Sequence, residues 1–124
     1  MAQIQPLLGP IGGQVYTATI SNASAVNNPL ADTAVTVYQI ELDNTANSAA
    51  TYLKVYNAAS PSHAGNAPFY ILRAEAATKQ HVLFPAGTEF GYLSYLVTTT
   101  QANTGTPSAT SSAVEVACLY ASAP

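Results

Sequence analysis

The chain has 124 residues, of which 48% are apolar and only 7% charged, with three Lys or Arg against six Asp or Glu and a formal charge of −3. Its length allows one domain of ordinary size, and its apolar content sets it apart from disordered chains, which combine low hydrophobicity with high net charge. Three cations cannot neutralise a phosphate backbone, so direct nucleic-acid binding is not expected; no window approaches the roughly 18 uncharged apolar residues of a membrane span, so no membrane partner is expected either.

Residues 1–13, MAQIQPLLGPIGG, carry Ile4, Leu7, Leu8 and Ile11 but are punctuated by Pro6, Pro10 and glycines, which rule out a regular helix or a central strand. The segment has neither a basic start nor a continuous apolar run, so it does not read as a secretory signal, and synthesis in a cytoplasm is expected. Apolar side chains on a segment that cannot fold on itself need a surface elsewhere. Residues 1–13 are therefore expected to be an extended arm docking on a neighbour, with residues 14–124 forming the domain. A disordered tail is the plainer alternative.

From Gln14 onward the dominant signal is apolar alternation with period two, and no stretch sustains helical spacing over three turns. Gln14 to Ser21 is the first predicted strand, with Tyr16, Ala18 and Ile20 on one face and Val15, Thr17 and Thr19 on the other. After the turn-rich SNASAVNNPLAD, Thr33 to Asp43 forms the second, with Tyr38, Ile40 and Leu42 inward and Gln39, Glu41 and Asp43 toward solvent. The stretch DNTANSA reads as a hairpin turn. Ala50 to Asn57 follows, with Leu53 and Val55 inward around an outward Lys54. Ala58 to Pro68 has the composition of an exposed loop.

Phe69 to Glu75 is strand-like and turns at Ala76 and Ala77 into TKQHVLF, with Val82 and Phe84 inward and Lys79 and His81 outward. Pro85 to Gly91 is too rich in Pro and Gly to be expected inside a sheet. Tyr92 to Thr99 alternates again, burying Leu93, Tyr95 and Val97 or the opposite set. After a loop of small residues, Ala113 to Ala121 closes the chain with Val114, Val116, Cys118 and Tyr120 on one side. Seven or eight strands separated by turn signals predict an all-β, antiparallel, jelly-roll-like β-sandwich.

Residues able to carry chemistry are few. His63 lies in a loop and His81 on a solvent face, neither at metal-ligand spacing from another ligand. DNTANS lacks the central Gly and terminal Glu of a calcium loop, and GPIGG lacks the Lys and Ser or Thr of a phosphate loop. No serine sits in a GxSxG elbow. Cys118 reads as a small apolar core residue rather than a nucleophile, and a single cysteine forms no internal disulfide. The six carboxylates are scattered. No catalytic, cofactor-binding or metal-binding residue is expected, and the chain is not expected to be an enzyme. Asn22-Ala23-Ser24 fits a glycosylation acceptor only if the chain is secreted. The tyrosines fall mostly in strands, where core packing is their expected role; a sugar-binding face would instead need exposed aromatics clustered on loops, a description that only Phe90 fits plainly.

The run VYQIELDNTANSAATYLKVYNAASP, from Val37 to Pro61, resembles a recurrent pattern in small tailed-phage proteins: a strand, a short Asn- or Ala-rich turn, a YLKLYN-like strand and an Ala-Ser-Pro turn. HVLFPAGTEFGYLSYLVTTTQANTGTPSATSSAVEVACLYA, from His81 to Ala121, is similar to their downstream part. The resemblance spans roughly Ala34 to Ala121 and rests on common residue types. It implies a jelly-roll virion structural protein without catalysis, of the capsid decoration (cement) kind, bound to the major capsid protein on the outer head surface. A homo-oligomer is expected, a trimer by preference, with Ile4, Leu7, Leu8 and Ile11 as the partner-binding arm. The alternative is a tail, baseplate or fibre component that binds host-surface carbohydrate. The family pattern carries over no catalytic or ligand residue.

Overall fold

The structure, a computed structural model, describes residues 14–20, 34–59, 65–101, 110 and 112–122. Seven strands run in chain order: β1 Gln14–Ile20, β2 Val35–Asp43, β3 Thr51–Asn57, β4 Tyr70–Ala74, β5 Lys79–Phe90, β6 Leu93–Thr98 and β7 Val114–Ser122. They form a four-stranded sheet in the order β1-β7-β2-β5 and a three-stranded sheet in the order β4-β3-β6. Every pairing is antiparallel. The chain is thus an all-β sandwich, and the way early and late strands interleave in the first sheet is that of a jelly roll. Residues 1–13, with the predicted arm positions Ile4, Leu7, Leu8 and Ile11, lie outside the described residues, as do His63 and Asn22.

Alternation places the core as expected. Ile40, Leu42, Leu53, Val55, Leu72, Leu93, Tyr95, Val97, Val114, Val116 and Cys118 are all buried between the sheets. Two ring pairs close the open sides of the sandwich. Tyr16 on β1 meets Tyr95 on β6, with their hydroxyls 3.0 Å apart, and Tyr70 on β4 meets Phe84 on β5 edge to face, centroids 6.2 Å apart.

Three sequence expectations need correction. First, Tyr38 does not join Ile40 and Leu42 inside; Val35 and Val37 are the buried residues there, at 0% exposure. The pairing slips between Val37 and Gln39 on both sides of β2, and the inserted Tyr38 resets the phase so that both apolar pairs face the core. Second, Pro85 to Gly91 does not interrupt the sheet, since β5 continues to Phe90. Val37 pairs with Thr88 and Gln39 with Leu83, so Phe84 to Gly87 bulge out opposite Tyr38. Pro85 is tolerated because β5 is an edge strand. Gly87 has φ +82°, and a Cβ there would stand 2.6 Å from the Thr36 side chain and 2.9 Å from the Tyr38 ring.

Third, DNTANSA is no hairpin turn, because β2 and β3 belong to different sheets. It is a corner held by Asn44, whose side chain is fully buried. Asn44 Nδ2 is shared among the carbonyls of Ala49, Ala74 and Glu75 at 2.9, 3.3 and 3.1 Å, while Oδ1 accepts from Thr51 Oγ1 at 2.8 Å. Asn47 extends the knot: its carbonyl accepts from Ala77 N and its Oδ1 from Ser112 N. The corner therefore ties together the β2–β3 and β4–β5 connections and the approach to β7.

Lys54 points away from the core, as its place in the alternation requires, yet it is 0% exposed. Tyr52 and Tyr56 beside it on β3, and Ser94, Leu96 and Thr98 on β6, are buried on that same outer face. β3, the central strand of its sheet, and β6 at the edge of that sheet are thus covered on both faces, and from Leu93 to Thr98 both alternating sets are buried.

Candidate partner surface

The outer face of the four-stranded sheet is the open one, and register divides it into three rows across β1, β7, β2 and β5. One row runs Thr19, Glu115, Asp43, Lys79; the next Thr17, Ala117, Glu41, His81; the third Val15, Leu119, Gln39, Leu83. The third row is apolar apart from Gln39, with Val15 66% and Leu83 56% exposed. A shallow groove lies along it, lined by Val15, Gln39, Glu41, Ala117 and Leu119.

Charge is unevenly spread on this face. Glu41, Asp43 and Glu115 occupy β2 and β7, and Lys79 and Glu89 occupy β5, whereas β1, QVYTATI, carries none. Asp43 stands opposite Glu115 on one side and Lys79 on the other. Its carboxylate is held below the ordinary range, chiefly by Thr45, whose hydroxyl and backbone N–H donate to Oδ1 at 2.6 and 3.0 Å, and further by the Lys79 charge. The face is acidic at its centre and neutral at the β1 margin.

A second surface feature sits at one end of the sandwich. Asn57 Oδ1 accepts from the N–H groups of Gly91 and Tyr92 at 2.9 and 3.2 Å and fixes the β5–β6 turn. Phe69, in the approach to β4, packs edge to face on Phe90 with centroids 5.1 Å apart. The loop aromatic singled out from sequence, Phe90, is the last residue of β5 and is fully buried. The exposed aromatics are Phe69 at 52%, Tyr92 at 43% and Tyr70 at 37%. Sequence alternation could not find this, because the exposure arises where strand ends from both sheets meet.

Between the sheets the described residues leave only a small, apolar gap. Cys118 lines a gap of about 10 Å³ between the sheets with Tyr16, Ile40, Leu53, Val55 and Tyr95, at the lower limit of what one water molecule needs. Burial pushes the Cys118 thiol up to about 12, which suppresses the nucleophilic thiolate and agrees with the core role read from sequence. His81 is exposed in the middle row. Among the described residues no three His, Cys, Asp or Glu gather as a metal site requires, and no helix is long and apolar enough to cross a membrane. Compared with known proteins, the chain matches no family model and no curated relative.

Proposed function

We propose that the chain is a non-enzymatic virion structural protein of a tailed phage, a capsid decoration protein bound to the outer surface of the head. The observation that supports this reading best is the jelly-roll-like sandwich with β2, β3, β5, β6 and β7 falling in the stretches whose sequence resembles small phage virion proteins. The partner is the major capsid protein, and the arm at residues 1–13, with Ile4, Leu7, Leu8 and Ile11, reaches a neighbouring copy or the shell. A ligand that binds only the assembled shell stabilises it by RT ln(1 + [L]/Kd). Homo-oligomeric presentation would turn a weak repeated contact into avidity.

The test is to add the purified chain to heads that lack it. Saturable binding and a rise in the temperature or salt dilution at which heads break are the expected results, with residues 1–13 required for full occupancy. Absence of binding to intact heads would overturn the proposal.

The exposed Phe69, Tyr70 and Tyr92 favour a second reading, a tail or fibre component whose aromatic end stacks on host-surface carbohydrate. In that case Phe69→Ala and Tyr92→Ala abolish glycan or cell binding and leave head binding irrelevant.

A further inference from the structure

β1 is the outermost strand of the four-stranded sheet, and no described residue pairs with its outer edge. An edge strand exposes a row of unpaired N–H and C=O groups, and monomeric proteins blunt such edges with charges, Pro, bulges or short strands. The opposite edge of the same sheet, β5, is blunted by Pro85, Lys79, Glu89 and the bulge at Phe84 to Gly87. The β4 edge of the other sheet carries the Arg73–Glu75 ion pair at 3.0 Å. The β6 edge of that sheet, LSYLVT, is buried along its whole length, whereas β1 is exposed at Gln14, Val15, Thr17 and Thr19 and has none of these devices: QVYTATI contains no charge and no Pro, and its seven pairs with β7 run without a register slip.

We infer that β1 pairs antiparallel with β1 of a second copy about a two-fold axis at Thr17, joining two four-stranded sheets into one of eight strands. In that register Thr17 faces its own mate, Val15 faces the mate's Thr19, and Tyr16 faces the mate's Ala18. Two-fold symmetry makes the Val15–Thr19 and Tyr16–Ala18 pairs occur twice, and the Thr17 pair once, on the axis. On the outer face all six side chains are β-branched, a favourable cross-strand combination. On the inner face each large Tyr16 meets a small Ala18.

The charge layout explains why a second copy fits this edge and not the broad face. Face-to-face stacking of two such sheets would oppose Glu41, Asp43 and Glu115 to another acidic centre. Edge pairing instead brings the neutral β1 margins together and continues the Glu115 row of one copy into the Val15 and Leu119 row of the other. The resulting species is a dimer, in place of the trimer expected from sequence resemblance.

The association belongs to the isolated chain, and its test needs no particle. In a Cys118→Ala background, Thr17→Cys places two thiols on directly opposed residues, with Cα atoms about 4.5–5.5 Å apart, inside the range a disulfide spans. Mild oxidation should convert this variant to a covalent dimer. Val15→Cys should not cross-link with itself, because its mate lies about 13 Å along the strand, but should cross-link when mixed with Thr19→Cys. Sedimentation at tens of micromolar should give a dimer for the unmodified chain. Thr17→Lys, on an exposed position, should give a monomer with an unchanged β spectrum. A monomeric or trimeric parent chain, or Thr17→Cys cross-linking no faster than Val15→Cys, would overturn the inference while leaving head binding free to succeed or fail by itself.

Discussion

Asn44 shows how much one polar side chain can hold when it is buried with every partner in place. Four contacts at about 0.5–1.5 kcal/mol each, all lost on its removal, set the expected cost of Asn44→Ala at about 2–4 kcal/mol in denaturant unfolding. Asn44→Asp should be worse, because a carboxylate would face the carbonyls of Ala49, Ala74 and Glu75 with no proton to offer. Tyr56 is the opposite case. Its hydroxyl is buried with no hydrogen-bond partner among the described residues, and burial raises its pKa. Tyr56→Phe removes that penalty and should leave stability unchanged or raise it by up to about 1 kcal/mol. Gly87→Ala should destabilise by about 1–3 kcal/mol, because both the positive φ and the contacts with Thr36 and Tyr38 oppose a Cβ.

Strands of similar composition differ here by position in the sheet. Leu53 on β3 is fully buried and Leu83 on β5 is more than half exposed. Leu53→Ala should therefore cost about 2–5 kcal/mol, whereas Leu83→Ala should stay within about 0.5 kcal/mol in the same urea titration. If the two changes were equally costly, the assignment of β5 as an edge would be wrong. The bulge that lets β5 carry Pro85 and Gly87 also keeps that edge from pairing, and leaves β1 as the open margin of the sheet. The Asn44 corner plays a comparable part for β2 and β3, sending consecutive strands into different sheets where a hairpin would have kept them together.

At the scale of the whole molecule, the buried titratable groups set the response to pH. Cys118 rises from an ordinary 9.0 to about 12 through burial, Tyr95 rises through burial and its hydrogen bond with Tyr16, and Tyr56 rises through burial. All three stay protonated in the fold at pH values where the unfolded chain ionises, so their contribution is full below about pH 9 and is lost as pH rises toward the folded values. Lys54 has the opposite sign. Burial lowers its pKa below 10.5, so the unfolded chain binds the extra proton and stability gains with pH across that interval. Three groups oppose one, and unfolding free energy should fall between about pH 9 and 11, by at most about 1.4 kcal/mol per pH unit for each group. Cys118→Ala should flatten the first part of that fall; an unchanged slope would show that the thiol does not titrate as its burial requires.

The amino-acid sequence by itself determined the class of fold, because period-two alternation from Gln14 to Ala121 admits strands and little else. It also determined which residues of β3 and β7 face the core, since uninterrupted strands keep their phase, while for β6 it left two alternating sets open and the tertiary structure turned Leu93, Tyr95 and Val97 inward. Only the tertiary structure decided the phase of β2, where one bulged residue at Tyr38 exchanges the inner and outer sets, and the fate of Pro85 to Gly91, which an edge tolerates and a central strand would not. The same is true of Lys54 and Phe90: alternation tells which way a side chain points, but whether anything covers it depends on elements distant in the chain. The arrangement of charges into rows, with an acidic centre and a neutral β1 margin, likewise follows from register between strands up to about a hundred residues apart, a long-range choice that local periodicity does not encode.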